Sequence, residues 1–129
     1  MEALAPRVDI RESRETGGTL ILSVSGALDL RTAPEFAERM ADSTSPRWEL
    51  VLDLDGLDFM DSTGLSVLLA ATARARRAGC SVSLARPHGG LLRLFRTAGL
   101  ENVLPLRSGP LGDTAPRVRS RFTRIAGRG

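Results

Sequence analysis

The stretch LVLDLDGLDFMDSTGLSVLL, Leu50 to Leu69, constrains the fold of this chain more than any other. Its first part, Leu50-Val51-Leu52-Asp53-Leu54, is a compact apolar run of strand length, and Asp55-Gly56 after it is a turn signal. Asp61-Ser62-Thr63-Gly64 then sets three consecutive capping-type side chains ahead of Leu65, Leu68, Leu69 and Thr72, which recur at helical spacing. The segment therefore reads as a short buried strand, a tight turn and a helix whose first turn carries a serine. Backbone N–H groups at a helix start point outward with partial positive charge, so a phosphate added to a hydroxyl there is electrostatically favoured. Ser62 is the residue on which the functional reading turns.

Around this segment the pattern alternates. Val8 to Glu15 reads as an edge strand, Gly17-Gly18 as a hairpin turn and Thr19 to Val24 as the second strand. Thr32-Ala33-Pro34-Glu35 has the Thr, early Pro and following Glu of a helix start, with Ala33, Phe36, Ala37 and Met40 as its apolar stripe and Ser43-Thr44-Ser45-Pro46 as its end. The helix over about Thr63–Ala78 closes at Gly79, and Ser81–Ala85 is the next strand. Pro87-His88-Gly89-Gly90 breaks the chain before a short helix through Leu91, Leu92, Leu94 and Phe95 that stops at Gly99. Val103–Leu106 is a last short strand, held to an edge by Pro105. The sum is an α/β domain: a mixed sheet of about five strands, an opening hairpin followed by alternating helices and strands, with helices flanking the sheet.

The chain has 129 residues, enough for one domain with a sizeable core. We place that domain at residues 1–112 and treat 113–129 as a tail. The net charge of +3 is unevenly spread: residues 1–112 hold 13 Arg against 14 acids, whereas 113–129 hold five Arg (Arg117, Arg119, Arg121, Arg124 and Arg128) against Asp113. Such a tail is of a kind that binds nucleic acid or anionic surfaces. Yet Val118, Phe122 and Ile125 follow helical spacing after Asp113-Thr114 and Pro116, so we read a short amphipathic helix packed back on the domain, with no direct nucleic-acid partner. No apolar run approaches the about 20 residues that span a bilayer. Met1–Arg7 lacks the basic and apolar regions of a secretory signal, so a cytoplasmic location without a membrane partner is expected. Cys80 is alone, which excludes an internal disulfide; with a single His it also argues against a structural zinc site.

The residues offer little for catalysis. Ser62 lacks a base, because His88 sits in the Pro-Gly break without an orienting partner. No Gly-x-Ser-x-Gly elbow and no phosphate-cradling Gly-rich loop occurs. Asp53 and Asp55 resemble an acidic phospho-acceptor pair, but solvated turn carboxylates are the simpler reading. Cys80 reads as a buried small hydrophobe. No metal and no cofactor is expected. At Ser62 two readings stay open: a helix cap, or a hydroxyl left over for other work because Asp61 and Thr63 also cap. Gly64, inside a first turn, costs up to about 1 kcal/mol relative to Ala, which implies a close backbone approach there.

Gly26-Ala27-Leu28-Asp29 with Thr32-Ala33, Leu57 through Leu65, and Leu91 through Leu100 together resemble the bacterial anti-sigma factor antagonists of the STAS-domain family. The resemblance covers about Val8 to Leu106. It implies a mixed sheet flanked by helices, no catalysis, and a serine, Ser62, that a partner phosphorylates, with Asp29 and Asp61 as acidic positions on the same surface. Partner contacts would then fall on Asp29, Asp61, Ser62, Thr63, Gly64 and Leu65. Two departures stand out: Ala27 where many relatives carry Glu, and the Arg-rich end.

The resemblance implies a partner-switching cycle. The unmodified domain, a monomer or weak dimer, binds an anti-sigma factor that is also a serine kinase, and so frees the sigma factor. The kinase phosphorylates Ser62, and a serine phosphatase reverses it. Two other readings remain: a STAS scaffold in a lipid-transport complex or stress-signalling particle with Ser62 unmodified, or a small nucleotide-binding or phospho-accepting regulator using Asp53 and Asp29.

Overall fold

A computed structural model describes residues 7–15, 17–46, 48–100 and 104–107. Among them the chain runs β1 (Val8–Glu15), β2 (Thr19–Leu28), α1 (Ala33–Ser43), β3 (Glu49–Met60), α2 (Ser62–Arg77), β4 (Ser81–Ala85) and α3 (Gly89–Thr97). The sheet order is β1-β2-β3-β4; β1 pairs antiparallel with β2, and the two pairs that follow are parallel. This is the mixed α/β arrangement expected. The hairpin closes at Glu15↔Thr19, with Gly17 and Gly18 both at positive φ, where glycine carries no Cβ penalty.

One face of the sheet forms the core. Ile10, Leu22, Leu52 and Leu84 come from successive strands and meet Phe36 and Met40 of α1, Leu68, Ala71 and Ala75 of α2, and Leu91 and Phe95 of α3. The opposite face is also buried at its centre, where Ile21 and Val51 have no exposed surface. Burial on both sides explains why β3 begins as an unbroken apolar run.

Four readings are corrected. Asp55-Gly56 is not a turn: β3 runs on to Met60, and the register shifts between Ser23/Ser25 and Gly26/Ala27 of β2 show irregularities where β3 carries extra residues. A bulge and a turn draw on the same residue types, so the pair Asp-Gly signals either. The fifth strand shrinks to one parallel bridge, Leu84↔Leu106, because Pro105 has no N–H and the Leu106 amide turns back to the Leu104 carbonyl at 2.9 Å. Val103 lies outside the described residues, as does the whole tail helix at 113–129. Thr32 precedes α1 without capping it by side chain; its hydroxyl donates to the Ala27 carbonyl at 2.8 Å instead. His88, finally, is not an unpartnered residue in a break. It is the N-cap of α3, its Nδ1 accepting from the Leu91 amide at 3.2 Å while Nε2 lies 2.7 Å from the Leu57 carbonyl oxygen, so Gly89 and Gly90 belong to the helix.

Candidate functional site

The start of α2 is built by three residues with separate jobs. Asp61 is the N-cap, in extended conformation, with its carboxylate accepting the Gly64 amide at 2.8 Å. Leu65 opens the helical ladder by donating to the Asp61 carbonyl at 2.9 Å. Gly64 is buried against the end of β2: a Cβ there would overlap the Leu28 carbonyl oxygen and stand 2.7 Å from its carbon. The close approach implied by the sequence is therefore real, and its partner is the β2 backbone.

With Asp61 as the cap, Ser62 is released from that duty. It is the first residue of α2 and exposed, and among the described residues its hydroxyl makes no hydrogen bond. Thr63 is half-buried, and Leu65 packs partly against the core. The amides of Ser62 and Thr63, at the positive end of the helix, have no acceptor among the described residues.

Asp29 lies beside this start, in the loop that follows Leu28, but not as a free surface charge. It is 9% exposed, and its Oδ1 accepts the Arg31 amide at 2.9 Å and the Thr32 amide at 3.2 Å. The Asp29 amide donates to the Thr32 hydroxyl at 3.0 Å. These bonds fix a tight loop that presents Leu30 outward.

Sequence reasoning missed two residues of this surface. Leu30 is 72% exposed and Phe59 is 53% exposed, and they are the large exposed hydrophobics among the described residues. Phe59 pairs with Ala27 near the end of β3, three positions before Ser62. Both sit on segments that adjoin the α2 start: Leu30 follows the end of β2 against which Gly64 packs, and Phe59 precedes the Asp61 cap by two positions. The exposure of Phe59 was not readable from periodicity, because it depends on the irregular β3 register, which leaves Asp58 and Phe59 both facing out, and that of Leu30 depends on the loop that the Asp29 bonds close.

Asp53 and Asp55 form a different feature. Asp53 is 2% exposed and takes a two-pronged contact from Arg86, Nε to Oδ1 at 3.0 Å and a terminal nitrogen to Oδ2 at 2.7 Å, while Oδ1 also accepts the Asp55 amide at 3.1 Å. The bond to Asp53 holds the Arg86 guanidinium above its ordinary range, although burial pulls the other way. Arg86 reaches back through a left-handed backbone, φ 56°, just past β4. A carboxylate so engaged is neither a solvated turn residue nor a phospho-acceptor. Cys80 is buried, as expected of a small hydrophobe.

Comparison with known proteins agrees with this geometry. The family model described as "Mlab, STAS domain" matches residues 12–107. An anti-sigma-B factor antagonist of Bacillus subtilis (strain 168) is 25% identical over 99 residues, spanning 77% of this chain and 88% of that protein. An anti-sigma F factor antagonist of Paenibacillus polymyxa is 31% identical over 91 residues, spanning 69% of this chain and 78% of its own. A solved anti-sigma factor antagonist from Mycobacterium paratuberculosis superposes with a TM-score of 0.69 at 25% identity, covering 88% of this chain and 95% of that one. Matched from β1 to the Leu106 bridge, with the Asp61–Gly64 helix start inside the matched span, this chain belongs to the STAS-domain family, among relatives named anti-sigma factor antagonists.

Proposed function

We propose that this domain is an anti-sigma factor antagonist, working in the cytoplasm, whose binding is switched off by phosphorylation of Ser62. The observation that carries the reading is the division of labour at the start of α2: Asp61 caps, and Ser62 stands exposed beside unaccepted amides. The partner is an anti-sigma factor that is itself a serine kinase. It contacts Ser62, Thr63 and Leu65 on α2, with Asp61 and Gly64 setting the helix start and Asp29 holding the loop that offers Leu30. The kinase moves the terminal phosphoryl group of ATP to Ser62 Oγ, the hydroxyl proton leaving to a base of the kinase, and a serine phosphatase hydrolyses the ester. The domain receives the phosphate and catalyses nothing.

Charge supplies the switch. Phosphoserine adds about −1.5 to −2 charges beside Asp61 and near exposed Asp58, and a partner surface fitted to a neutral hydroxyl then faces a desolvated anion. The helix end tolerates the added charge, so the fold is kept.

The test is incubation with the cognate kinase and ATP, followed by intact-mass and peptide mapping. One phosphate on Ser62 is expected; modification of Thr63 or Ser66, or none, counts against the assignment. Ser62→Ala should bind the partner regardless of ATP, whereas Ser62→Asp should bind at least about tenfold more weakly, a difference of about 1.4 kcal/mol. Equal affinities would sink the charge mechanism. Truncating Leu30 or Phe59 to alanine should also cost about tenfold or more in affinity, as central apolar anchors do, while leaving the melting temperature close to that of the parent chain. A shift in stability without a shift in affinity would remove these residues from the interface.

A further inference from the structure

The sheet has a second face that none of the described helices covers. All three place their buried apolar side chains in the core on the other side. Along the second face, Ser13↔Ile21↔Val51↔Ser83 form one row across the four strands. Ile21 and Val51 at its centre have no exposed surface, and Ala85 beside them is 1% exposed. The hydroxyls of Ser13 and Ser83, at its two ends, are buried without a hydrogen-bond partner among the described residues. Isolated sheet faces in water do not bury valine and isoleucine completely.

The rim of this face is acidic. Asp9, Glu15, Glu49, Asp53 and Asp55 lie on it with Arg11 and Arg86; Arg11 is paired with Asp9 and Arg86 with Asp53, so acids outnumber bases on the rim by three. Residues 113–129 carry the opposite balance, five arginines against one aspartate, around Val118, Phe122 and Ile125 at helical spacing. The last described residue is also well placed. Arg107 donates to the Leu84 carbonyl at 2.9 Å, so the chain leaves at the β4 edge. Three gaps between strands make a four-stranded sheet about 14 Å wide. The stretch from Arg117 to Ile125 is about 13 Å long as a helix, and residues 108–116 are ample to bring it over.

We propose that residues 113–129 dock on this second face, with Val118, Phe122 and Ile125 over Ile21 and Val51 and the arginines toward the acidic rim. The Arg-rich end is then a structural layer of the domain, and the basic excess is spent inside the molecule and not on nucleic acid.

Thiol labelling of the full chain tests this. In a Cys80→Ala background, Ser83→Cys should react slowly and Ser81→Cys, an exposed neighbour on the same strand, quickly. Adding Phe122→Asp should speed Ser83→Cys by at least about tenfold, the signature of local uncovering. If the Phe122→Asp chain does not fold by circular dichroism, Arg121→Glu/Arg124→Glu replaces it, and about threefold faster labelling is expected because charge pairing is only part of the docking. The proposal fails if Ser83→Cys reacts as fast as Ser81→Cys in the otherwise unaltered chain, or stays slow with Phe122→Asp and with the arginine pair reversed. It fails equally if Leu4→Asp uncovers the site instead, which would assign residues 1–6. Labelling that accelerates on dilution would assign the face to a second copy and overturn it as well.

Discussion

Gly64→Ala should melt at least about 4 °C below the parent chain and bind the anti-sigma partner poorly. The added methyl has no room, since its position coincides with the Leu28 carbonyl. Backbone cannot rotate aside as a side chain does, so the start of α2 must move off β2. That breaks the Asp61 N-cap bond and disturbs the packing of Leu68. Overpacking a tight contact costs about 1–3 kcal/mol or more, and each kilocalorie is worth about 4–8 °C in a domain of this size. Helix propensity alone predicts the reverse, a gain of up to about 1 kcal/mol. Thermal denaturation therefore decides between them by sign, and a melting temperature equal to or above the parent's would show that helix and strand do not touch.

A second large loss is expected for Arg86→Ala. Asp53 is buried in the body of β3, and removing the guanidinium leaves its carboxylate with the Asp55 amide as its remaining hydrogen bond among the described residues. Breaking a fully buried pair from one side costs about 3–5 kcal/mol; here Asp53 is buried but Arg86 is solvent-exposed, so the expected cost is lower, on the order of 2 kcal/mol, from the carboxylate left behind. The double variant Asp53→Leu/Arg86→Met should recover most of that loss, as exchanging such a pair for apolar groups of similar size is often neutral. Denaturant unfolding of the single and double variants measures both. If the double variant is no more stable than Arg86→Ala, the cost lies in the left-handed turn at Arg86 and not in the stranded charge.

How far the sequence carried is instructive at particular places. The hairpin was readable because Gly17-Gly18 divides two alternating runs, and α2 because its apolar positions repeat at helical spacing. Asp61, Ser62 and Gly64 were found as a group, since the local pattern contains one capping side chain too many and one glycine too early. What escaped depends on contacts distant in sequence. Arg86 meets Asp53 across 33 positions. His88 found its partner in Leu57, 31 positions earlier. Neither pairing leaves a local trace. Thr32 misled for another reason: its spacing to Glu35 fits a capping box, but its hydroxyl is used to close the loop at Ala27. Local rules identify which groups are available, and tertiary structure decides where they are used.

The irregular register of β3 has a consequence for how this surface can change over time. Between Asp53 and Phe59 the strand carries more residues than β2 opposite it, and pairing resumes at Ala27↔Phe59 and Leu28↔Met60. The surplus positions, Asp55 and Asp58 among them, face water while Leu54, Leu57 and Met60 stay in the core. Side chains on the outer segment are thus uncoupled from the inner ladder. If the surface docks a partner as proposed, substitutions at Asp58 and Phe59 would change its chemistry while Leu54, Leu57 and Met60 keep their places in the core, so recognition could diverge while the interior stands still.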